Sequence, residues 1–136
     1  MEINTINNRW AILQHTLSKD SLEGLHFDFL LEDGNSCRTW RLASFPHIDG
    51  PVVEAIPIAP HKLYWLQIEE SLVSGGRGWA KCISRGEFHG SLPLNQLDFF
   101  CIELNSTSMF GYLGFGNDKC KFSSDSEIDF ISVLNT

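Results

Sequence analysis

Histidine and aspartate stand two residues apart in "LHFDFLLEDG" (Leu25–Gly34), inside a run otherwise rich in Leu and Phe. On a β-strand the side chains alternate, so His26, Asp28, Leu30 and Glu32 share one face while Leu25, Phe27, Phe29 and Leu31 share the other. The second set is core; the first has the makings of a metal site. Imidazole nitrogens and a carboxylate suit Mn, Fe or Zn, and three such ligands leave positions open for water or substrate. His15 supplies a third ligand if its strand pairs beside the hairpin. Taken alone, a His-x-Asp pair more often marks the solvated face of a half-buried strand.

The elements that must position these residues are strands. "RWAILQH" (Arg9–His15) reads as the first, followed by a short helix or ordered loop over "TLSKDSLEG". Asp33-Gly34 is a two-residue hairpin signal with "NSCRTWRL" returning antiparallel. With that turn, Glu32 faces Asn35, Leu30 faces Cys37, Asp28 faces Thr39 and His26 faces Arg41. "ASFPHIDGPVVEAIPIAPHK" is Pro-rich and reads as extended and irregular, and "LYWLQIEE" as a further strand. "SGGRG" demands a tight turn or close backbone approach. "WAKCISRGEFHGSL", "LDFFCIEL" and "FGYLGF" are β-rich runs, and the tail "KFSSDSEIDFISVLNT" reads as an edge strand or a partly disordered end. Short strands without a long helical period point to a small closed or partly open antiparallel β-barrel with one or two short helices.

Composition sets the bounds. At 136 residues the chain accommodates a single domain, 1–136. Hydrophobic content of 43% is ordinary for a globular protein, and no apolar run approaches the ~18 residues of a membrane span. The N-terminus has no basic region followed by an apolar block, so no secretory signal is visible and the cytoplasm is the expected location. Cys37, Cys82, Cys101 and Cys120 form no C-x-x-C pair, which argues against structural zinc and a disulfide scaffold; most read as buried small hydrophobes. A formal charge of −7 opposes general nucleic-acid affinity, so any such contact must be local.

"LQH…LHFDFLLEDGNSCRTWRL" resembles the 3′-phosphoesterase domain of bacterial DNA ligase D, whose core reads Q-K-H, then H-Y-D-F-R-L-E, then a S-W-A strand. The counterparts are Gln14-His15, His26 to Glu32, and Thr39-Trp40-Arg41. "LYWLQIEE" resembles the strand ending in E-D-H, "GRGWAKCISRGEF" the G-x-G-x-V-x-x-W-D-x-G-x-W segment, and "LDFFCIELNSTSMFGYLGF" the closing strands. The likeness covers about residues 9–115 and leaves 116–136 as a divergent tail. It implies a compact β-barrel with a manganese site on a concave face, removing 3′-terminal phosphates or ribonucleotides. It also implies that His15, His26 and Asp28 are the ligands of Mn²⁺ or another divalent transition metal.

The departures fall on the phosphate-holding half. The family's arginine two residues after the metal-binding Asp is Leu30 here, the basic residue of the later strand is Leu63, and the histidine of E-D-H is Ser71. Five extra residues separate His15 from His26. Two readings stay open. In one the clamp has moved, to Arg41 across the hairpin with Arg77 in the glycine turn as a candidate second donor and His61 as replacement acid; Arg38 has the wrong parity. In the other the clamp is lost. Glu32 or Glu69 would orient the ligands. His47 beside Asp49, His89, and the four tryptophans read as surface or structural residues.

The expected function is metal-dependent hydrolysis of phosphate esters, at nucleic-acid 3′ ends or on a smaller ester, with Arg41 and His61 in catalytic roles. The alternative is a catalytically silent metal- or ligand-binding barrel. The expected partners are a nucleic-acid 3′ end or small phosphate ester and separate ligase or repair proteins on other chains, with no membrane.

Overall fold

Alternation in the strand-forming runs sends one set of side chains to each face of the sheet, and near the site both faces are covered. The computed structural model describes residues 8–136; residues 1–7, where the reading of the leader begins, lie outside the described part. The elements are β1 (Arg9–Thr16), β2 (His26–Asp33), β3 (Ser36–Leu42), β4 (Val53–Lys62), a 3-10 helix (Leu63–Leu66), β5 (Glu70–Leu72), β6 (Trp79–His89), β7 (Phe100–Asn105), β8 (Phe110–Gly116), β9 (Lys119–Ser123) and α1 (Phe130–Leu134). The nine strands run antiparallel in the order β1-β2-β3-β4-β9-β8-β7-β6-β5, and a β1–β6 pairing closes the ring with β5 outside it. This is the expected all-β near-barrel, with one short α-helix. No helix among the described residues is long and apolar enough to cross a membrane.

The interior is filled by one face of all eight ring strands: Trp10 and Ile12 of β1, Phe29 and Leu31 of β2, Trp40 and Leu42 of β3, and matching residues from the others. Its centre is aromatic. Phe115 packs against Trp40 at 4.5 Å, against Phe29 at 5.3 Å and against Phe100 at 5.3 Å between ring centroids. A second, smaller cluster lies on the outer wall, where Ala11, Leu13, Leu30, Cys37 and Ala80 are buried under Leu66. The segment 63–78 crosses this outer wall and leaves a cleft on it.

Four local expectations need correction. Of the segment 63–70 only Glu70 is strand, opening β5: Leu63 and Leu66 both pack on the outer cluster, and a three-residue spacing suits a 3-10 turn, whose side chains at i and i+3 eclipse. The Pro-rich stretch is regular in its second half, as β4. That strand meets β9 only at Val53 and Glu54, so Pro57 lies along an open edge, while Ala59 and Pro60 sit in a register shift against β3. The hairpin turn is Gly34-Asn35, with Gly34 at φ 68°, the glycine-first pattern of a type II′ turn. The register therefore pairs Asp28 with Arg41, Leu30 with Thr39 and Glu32 with Cys37. The tail supplies an interior strand, since β9 lies between β4 and β8. After β1, residues 17–25 form a closed loop without helix, tied by Leu17 N–H donating to the Glu23 carbonyl at 2.9 Å.

All four cysteines are free. Burial pushes the Cys37 and Cys120 thiols up to about 12, so both stay protonated packing groups. Replacing Phe115 by Ala opens a cavity among three aromatic rings in a core with no slack. The expected loss is about 3–5 kcal/mol in equilibrium denaturation, and a loss below 1 kcal/mol would mean that the ring core is not the source of stability.

Candidate metal centre

β1 and β2 bring the candidate ligands together because His15 is paired directly with His26, and side chains opposite each other in an antiparallel pair share a face. Asp28 follows two residues along that face and is 4% exposed. One ligand atom from each of His15, His26 and Asp28 lies within 4.8 Å of the others, so this group could hold a metal ion. The longer His15-to-His26 connection does no harm, because the 17–25 loop closes on itself and returns the chain in register.

Backbone carbonyls settle which imidazole nitrogens carry protons. His15 Nε2 lies 2.6 Å from the Arg77 carbonyl and His26 Nδ1 lies 3.2 Å from the Gly24 carbonyl. A carbonyl only accepts, so each of those nitrogens donates. In the neutral rings the lone pairs are then on His15 Nδ1 and His26 Nε2, which face each other at 3.0 Å. Asp28 Oδ1 stands 3.7 Å from His26 Nε2, too far for a hydrogen bond, and is buried with no hydrogen-bond partner.

Two imidazole nitrogens and a carboxylate oxygen therefore lie close enough together for one ion to reach all three. Atoms bound at about 2.1 Å in adjacent positions of one metal ion lie roughly 3.0–3.4 Å apart; the His15–His26 spacing of 3.0 Å is in that range, and Asp28 Oδ1, 3.7 Å from His26 Nε2, is just outside it. His26 titrates below its ordinary value: burial dominates, Asp28 pulls the other way, and Arg41 and His15 add to the lowering. The neutral form, the one that ligates, is favoured.

Arg41 is opposite Asp28, with Nε 3.8 Å from Oδ1 and its side chain half exposed. The sequence reading placed it opposite His26; the displaced turn moves it two residues along β2, directly opposite the carboxylate. His61 reaches the same group from β4, with Nε2 3.6 Å from Asp28 Oδ2. That histidine read as surface on its own and as a catalytic candidate only through the family likeness; here it is in the site. Its Nδ1 faces the Ala59 carbonyl at 3.3 Å.

A cleft of about 540 Å³ opens beside Asp28, lined by His15, His61, Ser71 and Arg77 among others. Arg77 contributes its carbonyl to His15, but its guanidinium folds back onto Ser74, donating to the carbonyl at 2.7 Å and the hydroxyl at 3.0 Å. Leu30 is fully buried in the outer cluster and carries no polar function.

Neither carboxylate expected to orient the ligands does so. Glu32 is held by Arg9, which donates from Nε at 2.8 Å and from Nη2 at 2.9 Å. Glu69 is 84% exposed and lies 3.4 Å from Arg85. The orienting groups are the carbonyls of Arg77 and Gly24, which no side-chain motif announces. His47 and His89 lie outside the site, and Arg38 is turned to Asp33, 2.7 Å away. The chain matches no protein-family model and no curated protein sequence, so the site is read from its geometry.

Two variants test that geometry. Asp28→Asn removes a buried charge whose Oδ1 has no hydrogen-bond partner. The metal-free variant should be at least as stable as the wild type, while the rise in melting temperature that Mn²⁺ or Zn²⁺ gives the stripped wild type should vanish; an equal rise in both would place the ion elsewhere. Gly78→Ala puts a methyl group against the Thr16 carbonyl and 3.1 Å from His15 Nε2, at a φ of 105° that disfavours side chains. Displacing the Arg77 carbonyl should weaken metal affinity by about 10–100-fold in titration, and unchanged affinity would remove that carbonyl from any orienting role.

Proposed function

We propose that the protein hydrolyses phosphate esters, at nucleic-acid 3′ ends or on a smaller ester, with His15, His26 and Asp28 holding Mn²⁺ or another divalent transition metal. The observation that carries this reading is a cation and a proton carrier flanking one ligand: Arg41 and His61 approach opposite oxygens of Asp28, at 3.8 Å and 3.6 Å. An ion bound there supplies Lewis acidity toward a phosphoryl oxygen and lowers the pKa of coordinated water.

The chain's own groups do the rest. Half exposed, Arg41 can turn its guanidinium from Asp28 to an anion beside the metal ligands, pairing two N–H groups with phosphoryl oxygens. Hydrolysis joins a water oxygen to phosphorus and breaks the bond to the alcohol oxygen. The departing alkoxide takes a proton from protonated His61 at Nε2, and the water's proton passes to solvent. Asp28 keeps His61 beside the reacting group, from 3.6 Å away.

The test begins with metal-stripped protein reloaded with Mn²⁺. Inorganic phosphate should perturb the electron paramagnetic resonance spectrum of the bound ion, and the loaded protein should turn over a 3′-phosphate primer or an aryl phosphate. Arg41→Ala should lower kcat/KM by about 10²–10³-fold, while Mn²⁺ affinity holds or tightens because a cation has left the carboxylate. His61→Gln should slow alkyl esters, which need a protonated leaving group, more than nitrophenyl esters. A bound ion with no turnover of any ester would make the protein the silent metal-binding barrel.

A further inference from the structure

We infer that the ester this site takes is small, with a compact apolar or aromatic alcohol portion seated in the cleft beside Asp28. The inference deepens the phosphate-ester reading and rests on it.

The cleft's lining is mostly apolar. Beside His15, Asp28 and His61 it carries Leu13, Pro60, Tyr64, Trp65, Leu72 and Val73, with Lys62, Arg77 and two serines as its other polar groups. A volume of about 540 Å³ is that of a small-molecule site, and a mostly apolar wall with a few convergent polar groups is how such sites are built. The aromatic part of the wall is ordered, with Tyr64 and Trp65 edge to face at 5.3 Å between centroids. An ester whose phosphoryl group meets the ligands would thus project its alcohol along an apolar wall.

A polynucleotide end fits this surface poorly. A strand needs cations along its track, and the chain carries a charge of −7. Of the basic residues lining the cleft, Arg77 is turned onto Ser74, which leaves Lys62. The exposed carboxylates of Glu69 and Glu70 follow just after the aromatic wall in sequence. Leu30 and Leu63 belong to the apolar cluster beneath the cleft.

The experiment uses non-hydrolysable probes, so that binding is read without turnover. Phenylphosphonate and methylphosphonate are titrated calorimetrically into the Mn²⁺-loaded full chain. Burial of the ring should make phenylphosphonate bind at least about tenfold more tightly. Leu72→Ser and Tyr64→Ser, both at exposed positions where refolding is undemanding, should bring that ratio toward one. Leu94→Ser, at an exposed leucine away from this cleft, should leave it as it is. Equal affinities in the wild type, or a ratio untouched by either cleft variant, overturn the inference, as does tighter binding of a 3′-phosphorylated oligonucleotide than of phenylphosphonate at 150 mM salt. Selective phenylphosphonate binding without turnover of phenyl phosphate would uphold the ligand class and defeat the hydrolase reading alone.

Discussion

The organisation of this protein depends on one buried carboxylate. Asp28 is 4% exposed, and its Oδ1 has no hydrogen-bond partner. His26, His61 and Arg41 stand 3.6–3.8 Å away, near enough to feel the charge and too far to bond to it. Burying an ionised carboxylate costs several kcal/mol unless something compensates. Attraction to Arg41 meets part of that cost. A metal ion shared with His15 and His26 would meet the remainder, because it also relieves the opposed lone pairs of the two imidazoles. Stability and site chemistry thus point at the same few atoms.

Holding such a group in place requires a rigid support, and the closed ring supplies it. β1 is paired on both sides, to β2 and β6, so His15 cannot drift from His26 without breaking two ladders. The same sheet has a packed interior on one face and a second apolar cluster on the other. That outer cluster is the floor on which the 3-10 helix, β5 and the glycine turn rest. The turn then returns the favour to the ligands: Gly78 lets the backbone pass against Thr16, and the Arg77 carbonyl meets His15. Packing on the outer wall is therefore coupled to imidazole orientation through one backbone carbonyl.

The grouping of His15, His26 and Asp28 was legible in the sequence because it follows from two local facts, strand alternation and the pairing of two strands that both carry a histidine. All-β architecture was legible for the same reason. Other features depended on contacts between distant segments. Whether 63–70 forms a strand or a 3-10 turn is decided by Leu13, Leu30 and Ala80 lying beneath Leu63 and Leu66, which alternation within "LYWLQIEE" does not reveal. The hairpin register turned on which residue takes the positive φ: with Gly34 first in the turn, Arg41 faces Asp28. His61 reached the site through the register shift at Ala59-Pro60, and the carbonyls of Gly24 and Arg77 have no side-chain signature.

Two histidines and a carboxylate serve several metals and several chemistries, so the neighbours must select among them. An arginine at position 30 would stand two residues along the strand from Asp28, about 7 Å away. Here that position lies beneath Leu66 and the rest of the outer cover, where a guanidinium would lose its water without gaining a partner. A cation can serve the same carboxylate only from a site that stays wet, and Arg41 occupies one: directly across the strand pair, where opposed residues are about 5 Å apart, and half open to solvent. An apolar cover over Leu30 and a positive charge at Arg41 across the hairpin therefore go together. The result is a largely apolar wall beside His15 and Asp28, which bears on what can be bound there.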